Sequence, residues 1–525
     1  MARRIAKDNF HQTGLKRKGS DAREETESGQ MAAYIIDRIP EEKKEFFDTY
    51  DINEVHLATA IRDSCGRYIK YCPQEGWMVY RADEGRWTDR YAEAAVQRVI
   101  THFGELLFER ALETNTGEKT FARRILSSAG INAVKNILKH DVTISIEREK
   151  FDADPDLLNC MGDLYSLRDG HTRAALPEDL FSKSTAYRAA ELSRDRDGNW
   201  TCPKMSKKFE AFLDKVTSKD GARRTDLVAY ILQYFGYALT GDTGASFFVN
   251  FHGQGKNGKS VLLNLMLDLF GSYATALPRD IVIENRFQGQ FDLAGLPGVR
   301  LAVLIDAPKG QLNMDQLKSL ISGDKVKGKR KYKDDFEFTP VCKIAVGSNP
   351  KLKLSDTGLS VRRRIRMVPF DYIVSDEEAV MNLHKLLLKE EGEQILSLLI
   401  YFANKYYREG EGPKAFPACK VIDEASREYM DSQDLVGRWI KERTDTRPGP
   451  VQPGVNTESY DALYEDFKKW MGTEGIHKVM AKNTFGEHLG VKLEKKRIRQ
   501  LDNELHYLNI KLKHSATSPP DTGGG

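Results

Sequence analysis

Gly253-Gln254-Gly255-Lys256-Asn257-Gly258-Lys259-Ser260 sets how the rest of the chain is read. It fits the pattern G-x-x-x-x-G-K-[ST], a loop that wraps phosphates where a strand turns into a helix. The flanks supply that context: Ser246–His252 is a short β-prone run, and Val261–Phe270 has the apolar density of a buried helix. Glycines let backbone N–H groups turn inward on a phosphate, and the helix N-terminus favours negative charge there. Gly253, Gly255, Asn257, Gly258, Lys259 and Ser260 are therefore the candidate residues for binding ATP. Lys259 would reach the β- and γ-phosphates, and the Ser260 hydroxyl would ligate Mg²⁺.

Such a loop needs a second strand to present a carboxylate to the metal. Arg300-Leu-Ala-Val-Leu-Ile-Asp306 has five apolar residues ending in an acid, so Asp306 is the second candidate metal ligand. Cys342–Asn349 reads as a third strand ending in an amide, and Asn349 is suited to orienting water or touching the γ-phosphate. Beyond it, Val361–Phe370 carries an arginine cluster, and arginines stabilise transferring phosphate. Between the second and third strands, Gly323–Phe338 reads as a hairpin studded with cations. Lys329, Arg330, Lys331 and Lys333 suit contact with nucleic-acid phosphates. Strands alternate with helices from Ser246 to Phe370, which implies a mostly parallel sheet.

The 525 residues suffice for two to four domains, and the net charge of +3 confines any nucleic-acid binding to local basic patches. No apolar run is long enough to span a bilayer, and the polar N-terminus is not a secretory signal, so a cytoplasmic protein without a membrane partner is expected. Residues 1–50 read as a tail of mixed charge and disordered composition, with a short surface helix over Tyr34–Tyr50. An α+β domain follows over 51–205, then the ATPase-like region with its helical lead-in and lid over 206–443. A Pro/Gly-rich linker covers 444–458, a compact segment 459–514, and a second tail 515–525. Within the compact segment, Lys482–Leu489 resembles a helix-turn-helix. The run Lys492–Arg499 places Lys495, Lys496, Arg497 and Arg499 as further DNA-binding candidates. Asp152-x-Asp154 could in principle hold metal ions, but it sits beside Pro155 in a turn-like setting and not on an apolar strand. The six cysteines form no CxxC pair and read as buried free thiols.

The order of these motifs resembles superfamily 3 helicases, specifically the phage and plasmid primase–helicase group. That group's GxGxNGKS loop is present as Gly253–Ser260 and its GYxLTGD as Gly236–Asp242. Its GD-to-basic-hairpin block appears as Gly323-Asp324 through Lys329-Arg330 to Phe336–Phe338. Its sensor asparagine corresponds to Asn349, and its arginine-to-PF ending to Arg363-Arg364 and Pro369-Phe370. The likeness runs from about Asp51 to Leu512, takes in Phe151–Asn159 in a domain without polymerase chemistry, and ends in a segment similar to a winged helix. It implies an AAA+-like P-loop fold and an ATP- and Mg²⁺-dependent replicative DNA helicase of a mobile element. Such an enzyme assembles as a ring, usually a hexamer, on single-stranded and forked DNA in a bacterial host, and moves 3′ to 5′. Lys259, Asp306, Asn349, Arg363 and Arg364 are the catalytic set so implied. Two departures stand out. Ile305-Asp306-Ala307-Pro308 offers a single acid, leaving the water-activating base unassigned, and the run Arg362–Arg364 leaves the arginine finger unassigned. No room for a primase domain precedes Asp51, so helicase activity without primer synthesis is expected. A non-translocating initiator using ATP for assembly, or a primase–helicase, are the alternatives, with an origin-binding or primase protein as a further partner.

Overall fold

The computed structural model describes residues 19–39, 53–113, 116–284, 293–329, 335–349, 351–354, 358–446, 448–476, 479–499, 501 and 504–513. The chain divides into a first unit, Met1–Pro350 with Val368–Cys419, and a second, Lys351–Met367 with Lys420–Gly525.

The first described element of the first unit is a helix, α1 (Gly19–Ile36), where the sequence reading expected an unstructured tail. The reason is a sparse apolar stripe: Met31, Ala32, Ile35 and Ile39 are all buried in one core with Ile61, Val79 and Val99. The charged residues ahead of that stripe obscured it. Helix α2 (Glu54–Cys65) starts at Asn53, whose side chain caps the His56 N–H at 2.9 Å. An antiparallel meander follows, β1 (Ile69–Cys72), β2 (Gly76–Arg81) and β3 (Arg86–Thr88). Helices α3 (Ala92–Glu113), α4 (Thr116–Ile125) and α5 (Ser128–Lys139) complete this core. A second meander joins β4 (Leu157–Cys160), β5 (Asp163–Ser166) and β6 (Thr172–Ala174).

Helices α6 (Lys207–Thr217) and α7 (Thr225–Leu239) lead into the sheet that carries the phosphate loop. The elements of that region are β7 (Phe248–His252), α8 (Lys259–Phe270), β8 (Ala274–Ala276), α9 (Arg279–Val282), β9 (Leu301–Ala307) and α10 (Met314–Ser322). The hairpin β10 (Val326–Gly328) and β11 (Phe336–Phe338) follows, then β12 (Lys343–Ser348), α11 (Leu359–Arg362) and β13 (Ile365–Pro369). The unit boundary passes through β13. The sheet order is β13-β7-β12-β9-β8, and the β7–β12, β12–β9 and β9–β8 pairs are parallel. All of β12, all of β7 but its last residue, and all of β9 except Ile305 and Asp306 are buried, as expected of parallel strands covered on both faces. Helix α7 is apolar almost all round and packs on α12 (Leu383–Arg408).

The second unit contains α11 and, after it, α13 (Lys420–Gln433), α14 (Leu435–Arg443), β14 (Thr444–Thr446), β15 (Thr457–Ser459), α15 (Tyr460–Thr473) and α16 (Lys482–Lys492). Strands β16 (Lys495–Ile498), β17 (Glu504–Leu508) and β18 (Ile510–Leu512) complete it. Its core stacks Phe467 on Phe485 at 4.6 Å, with Trp439 edge-on to Phe485 at 5.4 Å. Trp439 belongs to a stretch assigned above to the ATPase region, yet it packs with residues of the compact segment. The stretch 444–458, expected as a linker, begins in β14, paired with β18, and ends in β15, paired with β17. Five of the six cysteines are buried, in line with the sequence reading, and Cys202 is exposed.

Candidate nucleotide site

The loop between β7 and α8 has the conformation its glycines permit. Gly255 and Gly258 lie at φ of +107° and +80°, and Lys256 between them at +45°. Gly253 is constrained by space: a Cβ there would run into Asn257 Nδ2 and the Phe370 carbonyl. The loop closes on a buried lysine. Lys259 is 3% exposed, and its Nζ donates to the Gly253 carbonyl at 3.0 Å and to Asn257 Oδ1 at 2.7 Å. Burial pushes the Lys259 ammonium down to about 8, a shift that the nearby Asp306 carboxylate opposes. A buried cation at a glycine-rich loop that leads into a helix N-terminus suits the phosphates of a nucleotide. Ser260, next in the helix, is half-buried.

Parallel pairing brings the other candidates to the same edge of the sheet. Ser348, at the end of β12, is in register with His252 of β7 and Ala307 of β9. The Gly253 N–H donates to the Ser348 carbonyl at 3.3 Å, which fastens the loop to that edge. Ser348 Oγ donates to Asn250 Oδ1 at 3.0 Å beneath it. Asp306, one residue before Ala307, is exposed and has φ of +54°, and Asn349 follows Ser348 and is also exposed. The C-terminal edge of an open α/β sheet is where ligands bind in such folds. Among the described residues, no three His, Cys, Asp or Glu side chains are grouped to hold a metal. The Ser260 hydroxyl and the Asp306 carboxylate are oxygen donors of the kind that Mg²⁺ takes together with substrate oxygens.

A segment after β13 joins the loop; the sequence reading named Phe370 as the end of the arginine-to-PF motif but assigned it no contact with the loop. Asn257 Nδ2 donates to the Phe370 carbonyl at 3.2 Å, and the Val374 N–H donates to the Lys256 carbonyl at 2.7 Å. Lys256 pairs with Asp376 at 2.6 Å, and Arg224 with Asp371 at 2.9 Å. These residues sit in a charged loop whose composition matches any solvated turn.

The arginines differ from one another within the second unit. Arg362 pairs with Asp431 at 3.3 Å, and Arg364 Nη1 donates to the Ser360 carbonyl at 2.8 Å. Arg363 is exposed, and among the described residues its guanidinium has no partner. The hairpin arms pair as expected, Gly328 opposite Phe336, with Lys329 and Asp335 3.9 Å apart at the neck. Arg330, Lys331 and Lys333 lie outside the described residues. Lys495, Lys496, Arg497 and Arg499 are all exposed, the first three on β16. Asp152 is structural. Its carboxylate accepts from the Ser182 and Lys183 N–H groups at 2.8 and 3.1 Å and pairs with Arg148 at 3.3 Å.

Residues 58–218 match the family described as D5 N terminal like, and residues 251–364 match a family of unknown function, DUF5906. The chain is 23% identical over 378 residues to "Putative helicase L207/L206" of Acanthamoeba polyphaga mimivirus, covering 66% of this chain and 36% of that protein. It is 22% identical over 287 residues to "Putative helicase 022R" of Frog virus 3 (isolate Goorha), covering 51% of this chain and 28% of that one. It thus spans about a third of the length of the curated relatives it matches. The apo A-form structure of the NrS-1 C-terminal region aligns over 88% of this chain and 100% of its own at 10% identity, with a TM-score of 0.46, too distant to carry the fold assignment. The D5-type match and the helicase-named viral relatives uphold the resemblance to the phage and plasmid primase–helicase group of superfamily 3.

Proposed function

We propose that this chain, a relative of the superfamily 3 phage and plasmid primase–helicases, is an ATP-driven replicative DNA helicase that works as a ring. The observation that carries the reading is the buried Lys259, held at a loop on the same sheet edge as Asp306 and Asn349. Lys259 binds the β- and γ-phosphates and steadies charge on the transferring group. Ser260 and Asp306 hold Mg²⁺, which when bound neutralises phosphate charge. Asn349 orients the attacking water. Arg363, exposed and unpartnered among the described residues, is the arginine offered to a neighbouring subunit's γ-phosphate, with Arg364 beside it.

The cationic hairpin between β9 and β12 follows the strand of Asp306 and precedes that of Asn349. A change at the nucleotide is read as reaching this DNA-contacting element through β9 and β12. The second unit, with its order of helix, strand, two helices and hairpin, is read as a winged helix whose β16 cations meet DNA. Hexameric assembly and 3′ to 5′ movement are carried over from the resemblance.

The test is unwinding of a forked DNA by the full chain with ATP and Mg²⁺, alongside Lys259→Ala. ATP-dependent unwinding lost in the variant supports a motor. ATPase activity that requires one particular origin sequence, without unwinding, would identify an initiator instead.

A further inference from the structure

The Asn257 carboxamide is engaged at both ends. It is 3% exposed, its Oδ1 accepts from Lys259 Nζ at 2.7 Å, and its Nδ2 donates to the Phe370 carbonyl at 3.2 Å. Phe370 begins the segment whose Val374 N–H and Asp376 carboxylate are bound to Lys256. The absence of a Cβ at Gly253 leaves room for the carboxamide, since a side chain there would take its place.

A bound phosphate chain draws the lysine ammonium onto anionic oxygen. In the structure, two of its three donors are committed to Gly253 and Asn257. Once the lysine leaves, Asn257 Oδ1 loses its donor at a position closed to water, which a buried acceptor does not tolerate cheaply. The carboxamide cannot turn toward another donor without taking Nδ2 off Phe370.

We infer that Asn257 is a positioning residue that couples phosphate occupancy of the loop to the segment Phe370–Asp376. It holds the lysine when no phosphate is bound and passes the lysine's departure on to Phe370. The inference rests on the nucleotide-site reading above.

The experiment compares the full-length wild type with Asn257→Ala. ADP affinity is measured by calorimetry with Mg²⁺, ATP turnover by phosphate release, and hydrogen exchange over residues 371–376 with and without ADP. The variant should bind ADP at least as tightly as the wild type, because the lysine has lost a competing acceptor. Its turnover should fall, and the ADP-dependent change in exchange seen in the wild type should vanish. A purely structural role would weaken binding and turnover together. ADP affinity reduced about tenfold or more overturns the coupling, and so does an exchange change that survives in the variant or is missing from an ADP-binding wild type. Should alanine prevent folding, Asn257→Ser is read by the same measurements. A wild type that binds no ADP, or Lys259→Ala binding ADP as well as the wild type, overturns the nucleotide site itself.

Discussion

Arg300 donates through Nη1 to the Leu239 carbonyl at 2.5 Å, so the cation that opens β9 is held by the last turn of α7. Its Nη2 reaches the Leu157 carbonyl at 2.5 Å, and its guanidinium lies 4.7 Å from the Tyr273 ring centroid. Lys343, which opens β12, is held in the same way by the carbonyls of Thr240 and Asp242. Carbonyls at a helix C-terminus are the natural partners of cations. The strands that end at the nucleotide edge are thus both anchored, at their other ends, on one helix terminus.

Arg300→Met should therefore destabilise the first unit. It strips the Leu239 and Leu157 carbonyls of their donor in a buried setting, at a cost of roughly 2–4 kcal/mol. Thermal unfolding followed by circular dichroism would register this as a lower midpoint. An unchanged midpoint would mean that water or backbone replaces the guanidinium without penalty.

Lys259→Ala should abolish ATP hydrolysis and leave the fold intact, since the lysine's charge acts on the transferring phosphate and, among the described residues, no ion pair depends on it. Steady-state phosphate release by the folded variant is the measurement. Activity at the wild-type level would refute the assignment of the loop.

ADP affinity should fall as pH rises through about 8, the value to which burial lowers the Lys259 ammonium. Below that pH the lysine is charged and binds phosphate; above it the amine is neutral. The decline between pH 7 and pH 9 should be about tenfold if only the ammonium form binds. For stability the sign is opposite: between about 8 and the ordinary lysine value the folded chain holds fewer protons than the unfolded one, so this group's penalty shrinks as pH rises. Calorimetric titrations across that range should show the decline for the wild type and a flat profile for Lys259→Met.

Replacing Lys331 and Lys333 with alanine should weaken DNA binding about equally for all sequences. The slope of log K against log salt should flatten by roughly one unit per lost phosphate contact. Fluorescence anisotropy at several salt concentrations tests this, and a sequence-selective loss would indicate base contacts instead.

Arg363→Ala should lower turnover by about 10³-fold or more if it is supplied across a subunit boundary, the range found for arginine fingers elsewhere. Arg362→Ala, which loses its pair with Asp431, should cost less. Mixing Arg363→Ala with Lys259→Ala should restore some activity, because mixed rings contain complete sites, provided sedimentation shows that both variants assemble. Normal hydrolysis by Arg363→Ala alone would remove this arginine from the site.

The phosphate loop, its flanking strand and helix, Asp306, Asn349 and the hairpin arms were legible from the sequence because each depends on local rules. Glycines permit positive φ, apolar runs make buried parallel strands, and two short β-prone arms close in sequence pair antiparallel as β10 and β11. Helix α1 was missed because its apolar stripe is sparse and only becomes a buried face once α3 packs on it. The placement of Trp439 with Phe485, and of Thr444–Thr446 beside Ile510–Leu512, joins residues dozens of positions apart. No local pattern encodes that. The same holds at the site, where Asn257 meets Phe370 across 113 positions. Spacing and residue type were enough to place the glycine loop and the polar residues at the strand ends. What holds them came from packing alone, because those partners are backbone carbonyls and charged loop residues whose role comes from proximity and not from type.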